Sequence, residues 1–203
     1  MRLVLLLALA ALGWAVDTVE IFGLKWTVPV FQEWSVADEQ GAPTLSILKA
    51  RPQEQPRRPI QFAIAQTEDF EQVTVEADVK KKGDSVVIVN AYQAPSHFNY
   101  AHLSQDTGGK APVHNGIFHV FGGDRVRISS LDGPAAIPTE DRWYHVKLVY
   151  DARTHTAEVF VEGKLLPAFR AIDLSLGAGK VGLGSFFHVA QFRNVKVTGT
   201  PAR

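Results

Sequence analysis

The stretch from Asn90 to Arg127 carries most of the side chains of this chain that are suited to chemistry. Four of the seven histidines fall within positions 97 to 119. The candidate ligand-binding residues are Asn90, Tyr92, Tyr100, His102, His114, Asn115, Arg125 and Arg127. Tyrosine rings stack on the apolar face of a pyranose, and Asn, His and Arg hydrogen-bond its hydroxyl groups. The composition therefore suits a sugar, and the alternative is a polar strand surface without a ligand.

Two short strands are predicted to bring these side chains together. Alternation over residues 99–104 places Tyr100 and His102 on the same side of a strand, because successive side chains of a strand point to opposite faces. Over residues 125–129 it places Val126 in the core and the two arginines on the opposite face. If these strands are neighbours, their polar sides form one face of Tyr, His and Arg.

A transition-metal site is an alternative use of the same histidines. His102, His114 and His119 could converge with Asp106 or Asp124. The stretch lacks the closely spaced histidine pairs that are typical of zinc sites, and the second and third histidines have opposite parity on a regular strand. Metal binding is therefore the less favoured interpretation of the cluster.

Calcium is the one cofactor left open, and covalent catalysis has little support. Asp106 or Asp132 could bind calcium together with loop carbonyl groups. Ser185 follows Gly182-Leu-Gly184, which does not match the Gly-x-Ser-x-Gly turn of a serine nucleophile. No cofactor is therefore predicted with certainty.

The elements that must position these residues are short strands. Period-two alternation recurs from about residue 44 onward, and it is clearest in Phe70–Val79, where Val and Ala alternate with polar residues. The predicted strands are 44–48, 60–65, 70–79, 85–92, 99–104, 116–121, 125–129, 143–150, 156–162, 180–186 and 191–198. Many short strands separated by Gly- and Pro-rich turns predict an all-β fold, an antiparallel two-sheet β-sandwich.

The first 15 residues have the pattern of a secretory signal peptide. Arg2 gives a positive start, residues 3–12 are an uninterrupted apolar run, and Gly13-Trp-Ala15 resembles a cleavage site. The run is shorter than the roughly 20 residues of a transmembrane helix. We therefore expect a signal peptide over 1–15, a single domain over 16–203, no membrane span after cleavage, and a secreted or periplasmic location.

The composition of the mature chain bears on its stability and on the kinds of partner that it can bind. The sequence has no cysteine, so an exported protein of this size must rely on its core for stability. It has 21 basic and 21 acidic residues, which disfavours binding to nucleic acid through electrostatics. The densest basic stretch, Arg51–Arg58, holds two prolines, is followed by a third, Pro59, and is predicted to be a solvated loop.

Three segments resemble the concanavalin A-like lectin/glucanase superfamily. Trp143–Asp151 followed by Ala157–Gly163 resembles the hairpin of laminin-G-like domains. Gly179–Ser185 with Gln191–Val197 is similar to the closing strands of the superfamily, especially those of the 3-keto-disaccharide hydrolase group. Phe70–Asp78 fits an earlier strand of the same pattern. The resemblance covers roughly residues 34–198 and implies a jelly-roll sandwich, without fixing the activity.

One departure from the superfamily pattern bears on function. Its endoglucanases carry a Glu-x-Asp-x-Glu strand that supplies two catalytic carboxylates, and no such run exists here. Glu76 and Asp78 share a strand face but have the wrong spacing. We therefore expect a carbohydrate-binding protein. The alternatives are a sugar-acting enzyme of the 3-keto-glycoside hydrolase or lyase type that uses the Tyr/His/Arg face, and a structural or protein-interaction sandwich. The oligomeric state stays open.

Overall fold

Two antiparallel sheets face each other in the computed structural model, which describes residues 17–203. The eight-stranded sheet contains, in spatial order, β1 (Thr18–Ile21), β2 (Leu24–Thr27), β5 (Gln61–Ala65), β14 (Lys180–Ser185), β7 (Ser85–Ala94), β8 (His97–Ser104), β9 (Gly116–Phe121) and β10 (Val126–Arg127). The seven-stranded sheet contains β13 (Lys164–Ile172), β12 (Thr156–Val161), β11 (Tyr144–Asp151), β6 (Phe70–Lys82), β15 (Val189–Pro201), β4 (Ala42–Ile47) and β3 (Trp34–Glu39). This arrangement is the predicted all-β two-sheet sandwich.

Helical structure among the described residues is limited to single turns. Two 3₁₀ turns cover Phe31–Glu33 and Gly108–Lys110, and the second continues into one α-helical turn, α1 (Ala111–His114). None of these helices is long and apolar enough to cross a bilayer.

The core lies between the sheets and follows from alternation. In β6 the residues Val73, Val75, Ala77 and Val79 are buried, whereas the polar residues between them are half-exposed. β6 pairs with β11 on one side and with β15 on the other, so it is central to its sheet. Trp26 and Trp34 from the N-terminal strands are buried in the same core.

Two glycines let β14 run between β5 and β7. A Cβ atom at Gly184 would lie 2.3 Å from the carbonyl oxygen of Gln61, and one at Gly182 would lie 2.7 Å from that of Ala63. Cβ atoms do not approach backbone oxygens so closely, so a side chain at either position would push β5 away. These two positions therefore set the strand spacing beneath the site described below.

Every strand predicted from alternation is present, with boundaries shifted by a few residues. Four strands were not predicted: β1, β2, β3 and β13. The prediction that Val126 enters the core is wrong, because 59% of this residue is exposed on the two-residue edge strand β10. The predicted signal peptide lies outside the described residues.

Candidate functional site

The outer face of the eight-stranded sheet, defined as the face turned away from the seven-stranded sheet, has its own apolar cluster. β7 contributes Val87 and Val89, and the rings of Phe98, Tyr100 and Phe118 lie beside them. Further members are Ile64, Val120 and Phe186. The cluster is buried because the segment Arg51–Pro59 is attached over this face. The backbone N–H of Arg51 donates to the carbonyl of Phe187, and the N–H of Arg125 donates to the carbonyl of Arg57.

Arg125 lies at the centre of the buried part of this face. Its guanidinium carbon is 4.4 Å from the centroid of the Phe118 ring and 4.8 Å from that of Phe186. Its Nη1 donates to His102 Nδ1 at 2.9 Å and lies 3.4 Å from the Tyr100 hydroxyl. The arginine thus joins the predicted Tyr and His side chains, and its charge is stabilised by two aromatic rings.

His102 is a neutral histidine with one unused nitrogen. Only 2% of the residue is exposed, and burial, followed by the charge of Arg125, lowers its pKa well below the ordinary value. Because Nδ1 accepts the hydrogen bond from Arg125, the ring proton lies on Nε2. That Nε2–H has no hydrogen-bond partner among the described residues. His102 therefore offers a free donor to the space beside it.

Two histidine–carboxylate pairs line the same space. His114 Nδ1 contacts Asp106 Oδ2 closely, while Arg57 Nη2 lies 3.2 Å from His114 Nε2. His188 Nε2 lies 3.5 Å from Asp84 Oδ2. Burial lowers the pKa of His188, whereas the nearby Asp84 raises it by a smaller amount. The wall is thus rich in groups that can hold or move a proton.

The space between these groups is small and nearly closed. We call it the histidine cavity; its lining includes Arg57, His102, His114, Arg125 and His188. Its volume is about 30 Å³, room for about two water molecules, since one water needs roughly 10–15 Å³. A sugar ring does not fit in it. The sequence prediction that Arg51–Arg58 is a solvated loop is wrong for Arg57, whose side chain forms part of this wall.

The structure separates the remaining candidate residues. Asn115 is buried beside the histidine cavity, where its amide accepts from the backbone N–H groups of Ser104 and Ala136 and donates to Ser104 Oγ. Arg127 is bound to Asp132 at 3.0 Å and to loop carbonyl groups. Both residues hold loops in place in this structure.

Asn90 lies on the other side of the sheet from the histidine cavity. It pairs with Asn99 across β7 and β8, and it shares parity with Ile88, which is part of the core between the sheets. It is fully buried, and its amide has no hydrogen-bond partner among the described residues. The predicted face therefore contains Tyr100, His102, His114 and Arg125, but not this residue.

The metal alternatives gain no geometric support. His119 contacts Asn99 and Asp173 and does not approach His102 or His114, whose rings are 5.5 Å apart. Within residues 17–203, no group of three His, Cys, Asp or Glu side chains is arranged to hold a metal ion. The two carboxylates considered for calcium are paired with His114 and Arg127, respectively.

An open groove lies on the same outer face, on the other side of Pro59. We call it the aromatic groove; its lining residues are Thr27, Pro29, Arg58, Pro59, Ile60, Phe62, Ile64, Ala65, Gln66, Tyr92, Pro95 and Lys180. The volume is about 440 Å³, within the ~300–1,000 Å³ that small-molecule sites occupy. Phe62 and Tyr92 meet edge to face, with ring centroids 6.0 Å apart. Tyr92 is the one predicted residue in this groove.

Sequence reasoning missed Phe62, Arg58 and Lys180. They come from three segments that are far apart in the chain: β5, the loop that precedes it, and the start of β14. A sequence signal existed only for Arg58, which belongs to the basic stretch that was read as a solvated loop.

Comparisons with known proteins support the fold. No protein-family model and no curated protein matches the sequence. Among solved structures, the carbohydrate-binding module CBM66 from Bacillus subtilis has a TM-score of 0.58 and 17% identity, covering 86% of this chain and 95% of that chain. A candidate glycosyl hydrolase from Parabacteroides distasonis has a TM-score of 0.56 and 14% identity, covering 83% and 90%. The chain shares the two-sheet β-sandwich fold of these proteins.

A third neighbour shows this sandwich inside a larger protein. A GH43 protein of Bacillus licheniformis has a TM-score of 0.56 and 12% identity, and the match covers 90% of this chain but 38% of that one. At such identities the comparison shows the fold alone. What the sandwich does in this chain must be argued from its own residues.

Proposed function

We propose that the protein is an exported carbohydrate-binding protein whose ligand lies in the aromatic groove. The observation that carries this proposal is an open groove of about 440 Å³ walled by the rings of Phe62 and Tyr92. Both rings are half-buried, so they are fixed by packing while one side of the pair stays accessible. Rings fixed in this way can stack on the C–H face of a pyranose at little entropic cost.

The polar side chains of the groove suit hydroxyl groups. Gln66 and Thr27 are hydrogen-bonded to each other at 3.1 Å, and each keeps capacity for a ligand. The lining contains no Asp or Glu, so the groove itself offers no pair of carboxylates to cleave a glycosidic bond. Glu76 and Asp78 belong to the seven-stranded sheet, away from the groove. The CBM66 neighbour, a carbohydrate-binding module by name, supports binding as the role of this fold.

The test is retardation of the protein in native gels that contain single polysaccharides, followed by calorimetry with the retarding polymer. We expect at least one polysaccharide to retard the wild type and the Tyr92→Ala variant to lose this retardation. Phe160→Ala is the matched control, because Phe160 is another half-buried ring on the seven-stranded sheet. Binding that Tyr92→Ala leaves unchanged would place the ligand elsewhere and contradict the proposal.

A second candidate function, an enzyme that acts on sugars, is favoured by the histidine cavity. His114–Asp106 and His188–Asp84 are both histidine–carboxylate pairs, and the neutral His102 beside them has a free N–H. Histidine and carboxylate side chains are the groups that most often act as general acids and bases. Substrate would have to displace the segment Arg51–Pro59 to reach them.

This second candidate is tested by turnover of 3-keto-glucosides, with and without added divalent metal. Activity that disappears in a His114→Gln variant while polysaccharide binding is retained would support it. Absence of turnover under all these conditions would leave binding as the only supported function.

A further inference from the structure

Arg58 is a cation without a partner in the aromatic groove. The residue is half-buried, and its Nη1 atom has no accessible surface and no hydrogen-bond partner among the described residues. No described carboxylate lies within ion-pair distance of its guanidinium. Removing part of a charged group from water without a compensating partner costs free energy. A site that keeps such a group is suited to an anionic ligand.

The rest of the groove lining does not neutralise Arg58. The only other cation of the lining is Lys180, whose Nζ already bonds to Asp69 Oδ1 at 2.8 Å and to the carbonyl of Thr67 at 2.6 Å. No carboxylate is part of the lining. By contrast, the adjacent Arg57 bonds to His114, which is paired with Asp106. The positive charge of Arg58 is therefore not balanced by any residue of the groove lining.

We infer that the aromatic groove selects acidic glycans, and that Arg58 binds the carboxylate or sulfate group of the sugar ring that lies against Tyr92 and Phe62. This inference rests on the proposed function. A guanidinium group offers two parallel N–H donors, which match the two oxygens of a carboxylate. The aromatic pair would contact the C–H face of the same residue, so that ring and charge are recognised together.

The experiment compares polymers that differ only in charge. Polygalacturonate is compared with its fully methyl-esterified form, and dextran sulfate with dextran, by calorimetry at 50 and 500 mM NaCl. We expect the acidic polymer of at least one pair to bind about tenfold more tightly at low salt, and this advantage to shrink at high salt. The first pair reports a carboxylate ligand and the second a sulfate ligand.

Two variants connect the charge preference to Arg58. Arg58→Gln should bind the acidic polymer no better than the neutral one, whereas Arg58→Lys should keep part of the preference. Arg153→Gln is the matched control, because Arg153 is an exposed arginine paired with Asp151 at the hairpin between β11 and β12. Thermal unfolding followed by circular dichroism verifies that all variants are folded.

The outcomes separate this inference from the proposed function. Equal affinity for charged and neutral polymers, or a preference that Arg58→Gln retains, overturns the inference. If neutral polymers then bind in a Tyr92-dependent manner, the proposed function stands. If no polysaccharide binds at all, both fall.

Discussion

The histidine cavity and the aromatic groove lie on the same face of one sheet, yet their arginines are in opposite states. In the cavity, Arg125 binds His102 and His114 binds Asp106, and about 30 Å³ is left open. In the groove, which has about 440 Å³, Arg58 has no partner among the described residues. The density of polar residues along a chain therefore does not reveal which of them are available to a ligand.

The contrast also separates two roles of arginine. Arg125 is enclosed by two rings and three hydrogen-bond acceptors, including the carbonyl of Val113 at 2.8 Å, so it supports the fold. Arg58 makes no such contact, so its removal should lower the affinity for a ligand rather than the stability of the fold. The predictions that follow test this division.

The largest expected effect is the loss of stability on replacing Arg125 with Ala. The change leaves the buried Tyr100 hydroxyl and His102 Nδ1 without the donor and removes the cation from between two rings. We expect the free energy of unfolding in urea to fall by about 3 kcal/mol. A loss below about 1 kcal/mol would show that the cavity does not depend on this arginine.

The next effect is a pH dependence that originates at His102. Its pKa is lowered in the folded protein by burial and by the nearby Arg125, His114, His188 and Arg57. Below the ordinary histidine pKa of about 6.5, the unfolded chain binds a proton that the folded protein does not take up, so stability falls as the pH drops. For this one group, the free energy of unfolding changes with pH by a slope that approaches about 1.4 kcal/mol per pH unit.

Urea unfolding between pH 7.5 and 5 measures this dependence. His102→Gln should reduce the slope, since glutamine does not titrate. His188, whose pKa is also lowered by burial, should leave a residual slope in that variant. Asp151, with a pKa of about 2, titrates below this range. A slope that is identical in both proteins would contradict the assignment of a neutral buried His102.

A smaller effect is expected on ligand binding, and it should distinguish the two regions. Tyr92→Ala should weaken binding of the polysaccharide ligand about tenfold, because one stacking ring is lost. His102→Gln should change the same affinity by less than about twofold, because the histidine cavity is too small for a sugar ring. Calorimetry on both variants provides the comparison, and the reverse ranking would assign the ligand to the cavity.

The smallest effect is expected from Arg58→Ala on stability. Because this guanidinium has no partner to lose, the free energy of unfolding should change by no more than about 0.5 kcal/mol in either direction. Urea denaturation of this variant beside Arg125→Ala gives the sharpest contrast between the two arginines. If Arg58→Ala lost as much free energy of unfolding as Arg125→Ala, Arg58 would have a structural partner.

Much of the fold could be predicted because alternation is a local property. β6 and β11 alternate regularly and were found from the sequence. β1 and β2 are four residues each, too short for a clear pattern. β13 was missed because Leu165-Leu-Pro-Ala-Phe169 is continuously apolar, and its pairing with β12 shifts register at that point.

The candidate site could be predicted only in part. Local parity correctly placed Tyr100 and His102 on one face. The prediction that their strand neighbours that of Arg125 is wrong, because β9 lies between β8 and β10; Arg125, just before β10, reaches across β9. Parity could not show that this face is covered, because the covering residue, Arg57, is distant in sequence. Its backbone N–H binds the side chain of Asp124, which lies 67 positions later in the chain. The aromatic groove is also formed by segments that are far apart in the chain, so the sequence contains no local pattern that predicts it.

The attachment of the covering segment has a consequence for its length. The segment is held at Arg51 and again at Arg57, and Pro52, Gln53, Glu54 and Gln55 between these points are exposed. The number of residues between the two attachments thus determines that the side chain of Arg57 lies in the cavity and that of Arg58 in the groove. Substitutions in this stretch do not change that number. Deletion of one residue between the attachments would place Arg58 where Arg57 now lies and Pro59 where Arg58 now lies. The cavity would keep a guanidinium group and the groove would lose its charge, a change that polysaccharide affinity would report.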